Sequence, residues 1–359
     1  MNNNIKISTR KIISLGLILV CTTSFVACSK KDEVQDNSLQ QTTEGINEKE
    51  ESKEEKSEDN NNENAVAEKS DSIVTLGNTA FEIFRGNPTA TKKYSDTINE
   101  HKKSLGKDVN VYNMVVPTHV EFGLPDKYKD MSNPQKPVID KIYEGLGDDI
   151  KTVDAYSQLE KHKDEYIYFN TDHHWTSLGA YYAYEAFAKE AGFKPAKLSD
   201  YEKYTKEDFL GTLYTQTQDN NLKKNPDKVD YYKIPQDYKV TRYEKENPTK
   251  PLKTTLYADY AEGVNSYSVF LHGDFPQVNI ENKKSESDKK IVVVKESYGN
   301  SFVPFLIPHY KEVVVIDSRQ YKGSLKELVE KNNVDDVLFI NNIFAANTES
   351  IINTIDNLK

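Results

Sequence analysis

An α/β fold built on a parallel sheet is predicted by three apolar runs in the C-terminal third of the chain and by the helical stretches between them. The runs are Ile291 to Val294, Val313 to Ile316 and Val337 to Ile340, separated by helical patterns around Phe302 and over Leu325 to Glu330. A strand that is apolar at every position is buried on both faces, and helices on the two sides of a parallel sheet provide that burial.

Earlier elements follow the same alternation. Val74 to Phe84 reads as a strand, Asn87 to Ser104 as a polar helix, and Asn110 to Val116 as a strand stopped by Pro117. Pro137 to Leu146 fits a short helix closed by Gly147, and Tyr166 to Phe169 a short strand. Leu178 to Glu190 is helical, with Thr176 or Ser177 as N-cap and Gly192 past its end. From Phe193 to about Ser266 the periodicity gives way to Tyr-, Lys- and Asp-rich segments, expected to form an inserted lid region with some antiparallel strands.

The first 72 residues are different in kind. Lys6, Arg10 and Lys11 precede a mostly apolar run from Ile12 to Ala27, shorter than the roughly 20 residues a spanning helix needs, so residues 1–28 read as an export signal. The run ends Phe25-Val26-Ala27-Cys28, which resembles a bacterial lipobox and implies lipid on Cys28 and an anchor in the membrane. A signal cleaved without lipid, or an uncleaved anchor, is the alternative. Both cysteines, Cys21 and Cys28, lie in this segment, so the exported chain would hold neither a disulfide nor a thiol nucleophile.

Residues 29–72 read as a disordered acidic linker, because six Lys and 13 Asp or Glu between 29 and 70 leave too little apolar surface to offset chain entropy. As a flexible tether it would span roughly 35 Å. Discounting the basic signal and the acidic stretch 29–70 leaves residues 71–359 with −6 of the chain's net −10, which excludes a basic nucleic-acid footprint. That region is long enough for one large domain.

In open α/β sheets function gathers at the carboxyl ends of the strands. Those ends offer Thr118 and His119, Asp172 to Trp175, Ser297, Asp317 with Arg319, and Asn341 with Asn342. In extended backbone residues i and i+2 share a face, so Asp172 would hold one imidazole nitrogen of His174 while His173 points the other way. Ser297 precedes Tyr298-Gly299-Asn300 at a strand-to-helix turn whose amides are candidate oxyanion donors. Attack by Ser297, proton transfer by His174 and orientation by Asp172 is the division of labour of a serine triad.

Duller readings exist for each. Ser297 could be an N-cap, Trp175 a packing residue rather than a platform for sugar, and Arg319 a partner of Asp317 rather than an anion contact. A metal at Asp172, His173 and His174 is disfavoured, because neighbouring histidines in a strand diverge and no second cluster completes a ligand set.

Asp172-His173-His174-Trp175 followed by Thr176-Ser177-Leu178-Gly179-Ala180, with Lys295-Glu296-Ser297-Tyr298-Gly299-Asn300-Ser301-Phe302 and Ile316-Asp317-Ser318-Arg319, resembles the DHHW family of bacterial extracytoplasmic proteins. These in turn are similar to the SGNH-like domains of alginate O-acetylation proteins. The resemblance covers roughly residues 73–359 and implies a flavodoxin-like SGNH hydrolase fold with nucleophile Ser297, base His174 and acid Asp172. Lys-Glu-Ser stands where SGNH enzymes carry Gly-Asp-Ser.

The expectation is a lipid-anchored cell-surface O-acetyltransferase passing acetyl through an acyl-serine to an exported polysaccharide. It would need no cofactor, and a membrane-bound O-acyltransferase would supply the acetyl group. A carbohydrate acetyl esterase with the same triad, and a non-catalytic polysaccharide-binding lipoprotein, are the alternatives.

Overall fold

The computed structural model describes residues 68–359 apart from Asp71, Glu246 and Glu286. The expected signal, Cys28 and nearly all of the acidic linker lie outside the described residues. Among those described, no helix is long and apolar enough to cross a membrane.

The described residues begin with a small antiparallel sheet of β1 (Glu68–Ser70), β2 (Ile73–Leu76) and β3 (Thr79–Glu82). The expected single strand from Val74 to Phe84 is therefore a hairpin turning at Gly77, whose φ is +59°, and Glu68–Ser70 already pairs with its first strand. The main sheet takes β4 (Asn110–Val116) and β5 (Ile150–Thr152), whereas β6 (Glu202–Phe209) and β7 (Asp227–Lys233) pair only with each other. It is completed by β8 (Lys239–Glu244), β9 (Asn247–Thr254), β10 (Gln277–Glu281), β11 (Lys290–Lys295), β12 (Glu312–Asp317) and β13 (Asp336–Asn342).

Its order is β5-β4-β13-β11-β12-β10-β8-β9. The first five strands are parallel, and the last three join antiparallel. The region expected as an insertion is thus divided: β6 and β7 stand apart, while β8 and β9 extend the central sheet.

Alternate residues of the central strands enter two separate cores. Ile291, Val293, Leu338 and Ile340 face one, which the helix Ser177–Ala191 also packs. Val292, Val294, Val337 and Phe339 face the other, with side chains of the helices Pro88–Leu105, Lys136–Glu144, Leu325–Asn332 and Glu349–Asp356. Two-sided burial accounts for the unbroken apolar runs. The helix Ser177–Ala191 has Thr176 accepting at its N-cap from the Gly179 N–H, and Gly192 in the left-handed conformation at its end. The helix Lys136–Glu144 stops at Gly145 rather than Gly147, and Tyr166–Phe169 forms no strand beyond a single bridge from Tyr168 to Trp175.

Candidate active site

β11 is paired on both sides by parallel strands and ends at Lys295, so Glu296 and Ser297 leave the sheet at its carboxyl edge. The chain then turns into a one-turn helix, Gly299–Phe302. A Cβ at Gly299 would lie 2.6 Å from the Lys295 Cβ, so the turn is too tight for any side chain there. From Ile291 to Tyr310 every residue is buried except Ser297.

The Asp172–His174 segment is not a strand. It is a run of bends in which the Asp172 carboxylate accepts from the His174 backbone N–H at 3.0 Å, a side-chain turn that replaces the expected period-two alternation. The carboxylate Oδ1 also takes the Nδ1–H of His174 at 2.6 Å, and His174 Nε2 stands 2.8 Å from Ser297 Oγ. The three residues singled out from the sequence are therefore brought into one hydrogen-bonded line across 123 residues of chain.

The loop is pinned by residues that the sequence did not reveal. Asp227 accepts from Asn170 N (3.0 Å), Thr171 N (2.7 Å), Thr171 Oγ1 (2.6 Å) and Tyr166 Oη (2.5 Å). Thr212 donates to Asp172 Oδ2 through both its backbone N–H (2.8 Å) and its hydroxyl (2.9 Å). Gly211 lies so close that a Cβ would fall 2.2 Å from the Asp172 Cβ. Tyr267 stacks on His174, with ring centroids 3.9 Å apart, and donates to Ser297 O at 3.0 Å. In sequence Gly211-Thr212 reads only as a turn signal, and nothing local marks Asp227 or Tyr267.

Burial alone would raise the pKa of Asp172, but the charges of His174 and His173 and the hydrogen bonds from His174 and Thr212 hold it well below the usual carboxylate range. Glu296 behaves oppositely: burial dominates and raises it, against the N–H groups of Tyr298 and Asn342 that it accepts.

Several expectations require correction. The amides of Tyr298, Gly299 and Asn300 are already spent, on Glu296 Oε2, Glu296 O and Ser297 O respectively, because the Glu296 carboxylate folds in to cap the turn. The Ser297 N–H has no hydrogen bond among the described residues, which makes it the available oxyanion donor. The Asn300 amide is tied to Asp274 Oδ1 at 2.9 Å, and the Tyr298 ring is buried with its hydroxyl donating to His173 O. Trp175 is fully buried and donates to Tyr298 O at 3.0 Å, so it is a packing residue and offers no face to sugar.

Arg319 binds Asp317 and Asp274 at 2.6 and 2.7 Å, and Lys295 joins the same two carboxylates at 3.3 and 2.8 Å. This ion-pair network braces the strand ends instead of meeting an anion. The prediction that His173 faces away from His174 also fails, since the two ring centroids are 4.0 Å apart.

Ligand atoms of Asp172, His173 and His174 lie within 4.8 Å of one another, close enough in principle for a metal. Asp172 already accepts from His174 and Thr212, and His174 is held between Asp172 and Ser297, so a metal would have to displace those bonds.

The family model described as DHHW protein matches residues 26–316. A DHHW family protein from Eubacterium siraeum superposes with a TM-score of 0.75 at 33% identity, covering 81% of this chain and 97% of that one. Bacillus cereus PatB1, solved with a sulfonyl adduct, superposes with a TM-score of 0.67 at 19% identity over 80% of this chain and 98% of that one, a likeness of fold. No curated protein matches the chain.

Proposed function

Because this chain belongs to the DHHW family, we propose that it is an extracytoplasmic serine-dependent O-acetyltransferase of SGNH type, anchored through lipid on Cys28, that moves acetyl to an exported polysaccharide. The observation that carries the reading is the unbroken line from Ser297 Oγ through His174 to the Asp172 carboxylate, with Ser297 the sole opening in a buried stretch.

The chemistry follows from the atoms. Ser297 Oγ attacks the acetyl carbonyl carbon as its proton passes to His174 Nε2, and the imidazolium formed is stabilised by ionised Asp172. The leaving oxygen takes that proton as its bond to the acetyl carbon breaks. In the second half a sugar hydroxyl gives its proton to His174 Nε2, attacks the acyl-serine, and Ser297 recovers its hydrogen. The Ser297 N–H meets the negative oxygen in both steps. A membrane-bound O-acyltransferase is the expected acetyl source. Within this reading residues 193–266 serve as a clamp that sets Asp172, through Thr212 and Asp227.

The test is to incubate the protein with an activated acetyl ester and candidate oligosaccharides and weigh both products. Acetyl on Ser297 and on sugar is expected. Acetyl on Ser297 with release of acetate alone would instead make it an esterase, and an unmodified serine would leave a binding lipoprotein.

A further inference from the structure

Two imidazoles hang from one carboxylate. His174 Nδ1 binds Asp172 Oδ1 directly, and His173 Nδ1 lies 2.5 Å from Thr212 Oγ1, which itself binds Asp172 Oδ2 at 2.9 Å. Asp172 is ionised and can only accept, so the single hydroxyl proton of Thr212 is committed to it. Thr212 Oγ1 must therefore accept from His173, which places the proton of a neutral His173 on Nδ1 and leaves Nε2 as a bare lone pair. Burial and the adjacent His174 lower the pKa of His173, against the pull of Asp172, Glu82 and Glu296, so the neutral form is favoured.

The two rings are 4.0 Å apart and inclined by only 35°, with His174 Nδ1 on the carboxylate and His173 Nδ1 on the Thr212 hydroxyl bound to that carboxylate's other oxygen. His173 therefore packs against the ring whose Nε2 meets Ser297. Between Thr171 and Ser177, His173 is the one residue that is only partly buried, just as Ser297 is in its own stretch. His173 Nε2 has no hydrogen-bond partner among the described residues. A second ring with an unshared acceptor thus lies against the base of the triad, whereas a serine triad needs only one ring.

Resting on the acyl-transfer reading above, we propose that His173 Nε2 forms an acceptor subsite for carbohydrate with adjacent hydroxyls. One hydroxyl gives its proton to His174 and attacks the acyl-serine, while its neighbour on the same ring donates a hydrogen bond to His173 without changing its own bonds. Water can use only the first position. The second lone pair therefore favours transfer to sugar over hydrolysis.

The experiment loads the full-length protein with acetyl from an activated ester and measures how the acyl-serine divides between water and two alcohols, the vicinal trans diol of cyclohexane and cyclohexanol. One hydrogen bond predicts a transfer-to-hydrolysis ratio roughly five- to tenfold higher for the diol. His173→Phe should erase that preference, and His173→Gln, whose amide oxygen can still accept, should keep part of it. A parent that shows no preference overturns the subsite even if the variants fail to fold, as does a preference that survives in His173→Phe. If the parent forms no acyl-serine, the acyl-transfer reading falls and the subsite with it. An acyl-serine that divides equally between the two alcohols overturns the subsite alone.

Discussion

Ser297 stands at the end of a strand with a ladder on both sides, whereas Asp172 and His174 stand in a loop with no ladder, held by side chains from residues 209–227. The serine is positioned by the backbone hydrogen bonds and packing that stabilise the whole domain, so its place cannot be lost without losing the sheet. Asp172 and His174 are positioned by a few contacts between residues about 40 to 57 apart in sequence, which can be lost singly while the core survives. Damage to the loop should therefore appear in turnover before it appears in stability.

The sharpest separation comes from Ser297→Ala. Removing a half-buried hydroxyl should change stability by only about 1 kcal/mol, while acetyl transfer should fall on the order of ten-thousandfold. A folded variant, checked by thermal melting, that retains turnover within tenfold would remove Ser297 from the reaction.

Gly211→Ala tests whether the loop depends on close packing from outside it. The added methyl meets the Asp172 side chain at 2.2 Å, so something must shift. The expected cost is ~1–3 kcal/mol in stability, with kcat/KM down on the order of a hundredfold because a displaced carboxylate misplaces the imidazole. A larger loss of stability than of activity would show that the loop and the core are not separate.

Thr212→Val is milder, since the backbone N–H to Asp172 survives. Loss of the hydroxyl bond should lower kcat/KM roughly five- to tenfold, with recovery in Thr212→Ser. Because the pKa of Asp172 is depressed in the fold, its stabilisation is present above the unfolded value of 3.8 and lost as pH falls through the folded value. Thr212→Val should narrow that acid window, as read from melting temperature against pH.

The smallest effect belongs to the serine side. Glu296 is raised above 4.5, so its contribution is full below that value and declines as pH rises through the folded pKa. Replacing it with Gln leaves one of the two N–H groups at 3.0 and 2.9 Å without a matched acceptor, a cost independent of pH. The penalty of Glu296→Gln should accordingly be smaller at neutral pH than near pH 4, and an unchanged penalty would show that burial does not raise the Glu296 pKa.

What the sequence determined by itself was whatever burial imposes locally. The strands at 291–294, 313–316 and 337–340 and the capped helix after Thr176 were legible because two-sided burial demands unbroken apolar runs and helix ends need particular cap residues. Ser297, His174 and Asp172 could be singled out because few residue types suit attack, proton transfer and orientation of a ring, and the structure joins them by hydrogen bonds. Only the tertiary structure decided how those residues meet.

The carboxylate reaches His174 through a side-chain turn and not through strand alternation, and His173 lies beside His174 instead of opposite it. Glu296 consumes the turn amides, and Asp274 and Asp317 take Arg319. Each outcome depends on a hydrogen bond or buried ion pair for which several partners compete. Which partner wins is therefore settled by the path of the chain, and that path places Thr212 and Asp227 against the histidine loop where no local pattern announces them.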